Sequence, residues 1–234
     1  MTTLMIYAGP VAEDAAVTRT GGLPLAPPAA EWPECADCSG AMQFLAQVRL
    51  DDLPAPAAAA AAATAPSAPV TAPDTPPAPP EGDARGVLAV FMCENNPGVC
   101  ETWAPTSGAN RAVLHGCGEL TTLPAPEKGR STRLPETCGV QYVPVDGADY
   151  DTARVGWKAE HAERPRDVLG QLGGEPGWVQ GEETPDCPSC GLPMPLAAQF
   201  EQGRDHRTEM NFGGGCGYLF ACEPCREGIF LWQC

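Results

Sequence analysis

The feature that most constrains the fold of this chain is a Cys-x-x-Cys turn that occurs twice in matched surroundings, at residues 35–38 and 187–190. In both copies a Gly-Gly-x-Pro stretch precedes the turn by the same interval, and a methionine and a glutamine follow it at the same offsets. Each copy then reaches an apolar segment that opens on glycine and ends in cysteine, at residues 86–93 and 217–222. Because such self-similarity is typical of repeated structural units, we predict a tandem duplication with two pseudo-symmetric lobes.

The cysteines of each copy match the ligand set of a metal site. Zinc binds four thiolate or imidazole ligands in a tetrahedron, and two pairs of nearby cysteines can supply all four. We therefore predict two structural zinc sites, formed by Cys187, Cys190, Cys222 and Cys225 in the second copy and by Cys35, Cys38, Cys93 and Cys100 in the first. Two Cys-x-x-Cys turns make the second set the more specific pattern. Its alternatives are a redox dithiol, disulfides or inert core thiols.

The last two cysteines of the first set, Cys93 and Cys100, flank the sequence ENNPGV. Asn-Pro-Gly is typical of a loop at a hairpin tip. Cysteines on either side of such a loop would face each other on neighbouring strands, close enough to share a metal or to form a disulfide.

Four cysteines remain unassigned by this reasoning: Cys117, Cys138, Cys216 and Cys234. For Cys216 and Cys234, a cross-strand pair and two buried free thiols are both open.

The cellular compartment decides whether twelve cysteines favour metals or disulfides. The N-terminal sequence MTTLMIYAGP has neither the positively charged region nor the sustained apolar region of a signal peptide. The sequence contains no run of about 18 apolar residues, so no membrane span is predicted. We therefore expect a cytoplasmic protein, in which thiols stay reduced and bind metal.

Acidic residues outnumber basic residues 30 to 14, which gives a net charge of −16. Binding to nucleic acid needs a basic face that neutralises phosphates, so this composition argues against it. A basic protein is the partner that the charge favours, and solubility alone is the alternative explanation.

One long segment interrupts the first copy. Residues 54–80 contain nine prolines among alanine, serine and threonine, a composition too poor in bulky apolar residues to fold. We predict a disordered insertion over 53–85. The resulting organisation is a single two-lobed domain with a first repeat over about 18–103, a connecting segment over 104–170 and a second repeat over about 171–234.

The fold class that we predict is α+β with predominantly antiparallel β structure. Short apolar or alternating runs indicate strands within AMQFLAQVRL (41–50), GVLAVFM (86–92), RAVLHG (111–116) and VQYVPV (140–145). IFLWQ follows a turn and is expected to pair with GYLFA as a hairpin. The best helix candidate covers about 159–171, where Pro165 interrupts it.

The sequence lacks the patterns that accompany catalysis. Catalytic zinc usually has a histidine or carboxylate ligand and an open position, whereas His115, His161 and His206 lie near no Cys-x-x-Cys turn. Nucleophile elbows, phosphate-binding loops and dinucleotide fingerprints are missing too. We therefore expect no enzymatic activity. The alternative is a thiol-disulfide oxidoreductase or redox sensor that uses the Cys-x-x-Cys pairs, which requires a lowered thiol pKa.

Two stretches of the second copy, LGGEPGWVQ at 172–180 and GYLFACEPCREGIFLWQC at 217–234, resemble the YwqG-like family of bacterial proteins. That family is marked by an (L/I)-G-G-x-P-x-W-x-Q stretch and a later G-x-L-x-x-F strand that closes on W-Q. The first copy matches more loosely, with Ala26-Pro27 in place of the tryptophan and glutamine. The cysteine pattern is similar to that of the eukaryotic programmed cell death protein 2 family, in which GG-x-P-x-W precedes Cys-x-x-Cys, an L-x-Q strand and a strand ending in cysteines.

Both resemblances imply binding rather than catalysis. The eukaryotic proteins resemble dedicated chaperones that hold a basic ribosomal protein, and the bacterial family includes candidate immunity proteins that bind toxins. We therefore expect a zinc-stabilised module that binds a basic protein in a chaperone-like or immunity-type role. Neither resemblance implies a catalytic residue.

Overall fold

The computed structural model describes residues 1–54, 85–127 and 131–234. The predicted insertion over 53–85 therefore lies outside the described residues except at its two ends. Leu53 is buried in the core at one end. At the other end Arg85 forms an ion pair with Glu223 and donates to the Leu53 carbonyl oxygen at 3.0 Å. Leu53 and Arg85 thus both contact the folded body.

The described residues form twelve strands and one α-helix. In chain order the strands are β1 (Thr2–Pro10), β2 (Arg19–Thr20), β3 (Leu25–Ala26), β4 (Gln43–Arg49), β5 (Val87–Met92), β6 (Asn110–His115), β7 (Thr121–Thr122), β8 (Cys138–Val145), β9 (Val168–Leu172), β10 (Leu196–Glu201), β11 (Cys216–Cys222) and β12 (Glu227–Gln233). The helix, α1, covers Tyr150–Glu160. Within the described chain no helix has the length and apolar character needed to cross a membrane.

Ten of the strands form one antiparallel sheet in the order β12-β11-β10-β9-β1-β8-β2-β4-β5-β6, and β3 pairs with β7 separately. The terminal strands β12 and β6 lie against each other, so the sheet is nearly closed. Gly228 of β12 makes this approach close, because a Cβ atom there would lie 2.9 Å from Leu88 and 3.0 Å from Ala112. The expectation of predominantly antiparallel β structure is confirmed.

The strand order follows the same pattern on both sides of the sheet. β2, β4, β5 and β6 follow one another on one side of the centre, and β9, β10, β11 and β12 do so on the other. The two central strands are exchanged: β1 pairs with β9 of the later half, and β8 pairs with β2 of the earlier half. The predicted connecting segment over 104–170 therefore contributes β6, β8 and the first part of β9 to the same sheet.

A β-bulge occurs at matching positions in the two halves. It lies between Phe44 and Ala46 in β4 and between Leu196 and Ala198 in β10. These positions are separated by the same sequence interval as the two Cys-x-x-Cys turns. The bulge also interrupts the alternation of apolar and polar residues within AMQFLAQVRL. Phe44 packs beside the first cysteine set, whereas Val48 packs in the central core, because the extra residue changes the face on which the alternation falls.

The predicted strands in β4, β5, β6 and β8 and the β11–β12 hairpin are confirmed. The helix prediction was wrong: residues 168–172 form strand β9, and α1 ends at Glu160. The helix starts earlier because Asp149 caps it, accepting a hydrogen bond from the Thr152 N–H at 2.8 Å. Its buried face consists of Tyr150, Ala153 and Trp157, spaced three and four residues apart, and packs on β1.

Candidate metal centres

The structure brings the eight predicted ligands together in two groups. Within each group the four sulfur atoms lie within 4.8 Å of one another. The first centre consists of Cys35, Cys38, Cys93 and Cys100. The second centre consists of Cys187, Cys190, Cys222 and Cys225. Neither group contains a histidine or a carboxylate.

The first Cys-x-x-Cys turn of each centre is shaped by backbone hydrogen bonds. In the first centre the Cys35 N–H donates to the Gly40 carbonyl at 2.9 Å, and the Ser39 N–H donates to the Cys35 carbonyl at 2.8 Å. Ser39 adopts a φ of +56° to close this turn. In the second centre Cys187 and Gly191 have the same hydrogen bonds, and glycine there adopts a φ of +71° without a Cβ to clash.

The remaining cysteines of the second centre come from the β11–β12 hairpin. Cys222 ends β11, and Cys225 lies in the turn that leads to β12. Arg226 closes this turn with a φ of +58° and donates its N–H to the Glu223 carbonyl at 3.1 Å. The turn thus holds both sulfur atoms beside the Cys187–Cys190 turn.

The first centre differs from the predicted hairpin geometry. Cys93 follows β5, but Cys100 lies in a turn of its own, where its N–H donates to the Asn96 carbonyl at 3.1 Å, well before β6 begins at Asn110. The two cysteines therefore do not face each other across neighbouring strands. Asn95 supports the centre by donating its Nδ2 hydrogens to the Ala41 carbonyl at 3.0 Å and to the Cys93 sulfur at 3.4 Å.

The two centres differ in exposure. Three cysteines of the first centre are buried and Cys38 is half-buried. In the second centre only Cys187 is buried, and Cys190 is exposed. Aromatic rings pack beside both: Trp32 and Phe44 contact Phe91 next to the first, and Trp178 contacts Tyr218 and Phe220 next to the second.

The electrostatics of the second centre favour a bound cation. Burial raises the pKa of Cys187, but hydrogen bonds from the backbone N–H groups of Cys190 and Ser189 outweigh it and lower that pKa to about 7. The hydrogen bonds of Cys225 with Cys222 and Cys190 raise the pKa of Cys225 to about 12. The Cys187 thiol can thus ionise near neutral pH, whereas the raised pKa values of Cys222 and Cys225 oppose a second thiolate beside it, because thiolates this close repel one another. A divalent cation would remove that repulsion.

Four sulfur donors without an oxygen or nitrogen ligand suit soft or borderline metals, zinc and iron–sulfur clusters among them. The residues of both centres therefore fit a structural metal. An all-cysteine set also leaves no ligand position of the kind that catalytic zinc keeps open.

The other cysteines lie apart from the centres. Cys138 and Cys216 are buried, and burial raises the pKa of each thiol to about 11. Cys117 and Cys234 are exposed. Cys216 lies opposite Gln233 in the β11–β12 ladder rather than opposite Cys234, and none of the twelve cysteines forms a disulfide.

The repeated glutamine has a structural role that its sequence offset alone did not reveal. Gln47 is fully buried, and its Oε1 accepts a hydrogen bond from the Leu25 N–H at 3.1 Å. Gln199 is equally buried, and its Oε1 accepts from the Gly177 N–H at 2.8 Å. In both halves the glutamine thus ties the chain after the Gly-Gly-x-Pro stretch to the strand that follows the Cys-x-x-Cys turn.

Sequence reasoning also missed a groove beside the second centre. It has a volume of about 780 Å³ and lies between the Gly-Gly-x-Pro stretch at 173–176 and the Cys187–Cys190 turn. Most of its lining is apolar, and Leu192 at its rim is 57% exposed. The only hint in the sequence was the apolar run Leu-Pro-Met-Pro-Leu at 192–196, directly after the turn.

Comparison with known proteins gives one partial similarity. The chain is 33% identical over 66 residues to the uncharacterized protein YpfL of Salmonella typhimurium. That similarity covers 28% of this chain and 15% of the length of YpfL. No family model matches the chain.

Proposed function

We propose that this chain is a tandemly duplicated β protein, stabilised by one zinc ion in each centre, that binds another protein and carries out no chemistry itself. The observation that carries the proposal is the position of the eight cysteines. Each centre brings a Cys-x-x-Cys turn next to cysteines at and after the end of a strand, β5 in the first centre and β11 in the second. A metal bound there would hold these loops in place. This is the role of structural zinc, which contributes folding free energy directly.

The duplication is supported by features that recur at the interval separating Cys35 from Cys187. These include the hydrogen bonds of the Cys-x-x-Cys turn, the bulge in the following strand and the buried glutamine. The strand order is also the same in both halves. A second copy of one ancestral unit accounts for all of these correspondences together.

A basic protein is the partner that we propose, within a cytoplasmic setting. The net charge of −16 favours a cationic partner and accelerates its association. The resemblance to the YwqG-like and programmed cell death protein 2 families points in the same direction, since it implies a holding or immunity-type role. Strand addition at a sheet edge is disfavoured, because β6 and β12 pack against each other.

The test of this proposal is partner capture with the metal-loaded chain in the cell that makes it. Proteins retained by the tagged chain are identified by mass spectrometry, and the strongest one is purified and bound again at low and high salt. We expect a basic protein whose affinity falls as the salt concentration rises. A partner set without basic proteins, or affinity insensitive to salt, would contradict the proposal.

A thiol-disulfide oxidoreductase is the second candidate, and the exposure of Cys190 within a Cys-x-x-Cys pair favours it. The two functions separate in a disulfide-exchange assay with a model substrate. Rapid turnover by the zinc-loaded chain would support the oxidoreductase, since thiolates bound to a structural metal are not expected to turn over.

A further inference from the structure

The groove beside the second centre has a counterpart in the first half that is already filled. There the segment 131–137, with the sequence STRLPET, lies over the Gly-Gly-x-Pro stretch. It forms a parallel bridge between Arg133 and Phe44, in which the Phe44 N–H donates to the Thr132 carbonyl at 2.9 Å. The Gly22 N–H donates to the Leu134 carbonyl at 3.3 Å. The segment is therefore held by backbone hydrogen bonds, with a single β-bridge at Arg133.

The contact between segment and glycines is close. A Cβ atom on Gly21 would lie 2.0 Å from the Glu136 carbonyl oxygen, and one on Gly22 would lie 2.3 Å from the Thr137 hydroxyl. Only glycine permits such an approach of another chain segment. The paired glycines of the Gly-Gly-x-Pro stretch thus form the floor of a peptide-binding surface in the first half.

In the second half none of the described residues covers the same surface. Gly173 and Gly174 take the places of Gly21 and Gly22, with φ values of +59° and +78°, and Leu196 takes the place of Phe44. A Cβ on Gly173 would meet nothing closer than a Pro54 carbon at 3.6 Å. The bridge at Phe44 has no counterpart at Leu196 in the part of the chain that the structure describes. All three second-half residues line the groove.

The segment in the first half shows which residues such a surface accepts. Leu134 is 4% exposed and belongs to the central core, so it is the apolar anchor. Arg133 before it is exposed and pairs with Glu13 at 2.7 Å. In the second half the acidic residues that line the groove are Glu175, which is exposed, and Glu223, which is paired with Arg85. Among the residues that the structure describes, no basic side chain lines the groove. The exposed carboxylate of Glu175 is therefore the group that can pair with a cationic residue beside the anchor of a bound peptide.

We propose that this groove binds an extended segment of the partner protein, with a basic residue followed by a buried apolar residue, in the way that the first half binds 131–137. The inference rests on the proposed function and locates its binding site. Cys190, Cys222 and Cys225 form part of the groove wall. Peptide binding should therefore depend on the integrity of the second centre, and stripping its metal should abolish binding.

The probe is a fluorescein-labelled peptide of sequence STRLPET, titrated with the full zinc-loaded chain and followed by fluorescence anisotropy. Leu192→Asp places a charge at the apolar rim of the groove, and its matched control is Val99→Asp, an exposed apolar residue beside the first centre. We expect Leu192→Asp to weaken binding about tenfold, the effect of losing one good apolar contact. Val99→Asp should bind like the unaltered chain. Peptides with the arginine changed to glutamate, or the leucine to aspartate, should bind more weakly.

Several outcomes would overturn the proposal. These are the absence of saturable binding up to about 1 mM peptide, equal affinities of the two aspartate variants, and equal affinity after the metal is removed. Binding that appears only when residues 55–84 are deleted would identify that segment as the occupant, and a dimer that the peptide dissociates would identify a second copy. A purified basic partner that binds Leu192→Asp normally would reject the groove but leave the proposed function standing. Peptide binding without any basic partner would reject only that function.

Discussion

Among single residues, the buried glutamines Gln47 and Gln199 show why the two copies share a glutamine at the same offset. Gln199 accepts hydrogen bonds from the Gly177 N–H at 2.8 Å and from Gln171 Nε2 at 3.0 Å, and it donates to the Gly177 carbonyl at 3.1 Å. A buried amide is needed here because two backbone groups of the loop face the sheet rather than solvent.

Gln199→Leu tests this role. The substitution keeps the side chain close to its size but leaves the Gly177 N–H without its acceptor, while the Gly177 carbonyl keeps its hydrogen bond from the Tyr218 hydroxyl at 2.9 Å. We therefore expect the free energy of unfolding to fall by about 1–3 kcal/mol. Gln141→Leu, at an exposed position of β8, is the control and should change the free energy of unfolding by less than about 0.5 kcal/mol. Urea unfolding of both zinc-loaded variants measures the difference. Equal stability of the two variants would contradict this role, because water would then be replacing the hydrogen bonds of Gln199.

At the scale of secondary-structure elements, both centres consist of four cysteines, but the turns that carry these cysteines differ in exposure. The first centre is enclosed by Trp32, Phe44 and Phe91, whereas the hairpin turn that carries Cys225 leaves Cys190 exposed. A chelator reaches an exposed thiolate without prior opening of the fold, while a buried one requires local unfolding. The centres should therefore release metal at different rates.

We expect a colorimetric chelator to remove zinc in two phases, with the second centre responsible for the fast one. The assignment is checked with Cys190→Ser, which should remove the fast phase, and Cys93→Ser, which should remove the slow phase. A single phase in the unaltered chain, or loss of the slow phase in Cys190→Ser, would contradict the difference in exposure.

The elements also show what the sequence can and cannot predict. The strands β5 and β11 and both cysteine sets were predictable, because continuous apolar runs and ligand spacing are local signals. The bulges at Phe44 and Leu196 were not, since they depend on pairing with strands that are distant in sequence. The helix prediction was wrong because the cap, Asp149, and the buried face of α1 begin before the segment 159–171 in which we predicted a helix. The groove was missed because it exists only where the two Gly-Gly-x-Pro surroundings differ.

For the whole molecule, the exchange of the central strands makes the two halves one body. β1 and β8 pair with each other and each also pairs with a strand of the opposite half, so neither half completes its sheet alone. Closure of the sheet by β6 and β12 adds a second contact between the halves. Loss of metal from one centre should therefore affect the stability of both halves.

The central claim is that two structural metal ions hold this body together. The most direct test is elemental analysis of the untagged chain, purified without chelator, together with a count of titratable thiols. Because eight of the twelve cysteines lie in the two centres, we predict two zinc ions per chain and four thiols outside the centres. In the folded chain the exposed Cys117 and Cys234 should react readily and the buried Cys138 and Cys216 only slowly. A chain without metal and with few free thiols would contradict the account, since disulfides rather than zinc would then join the cysteines of each half.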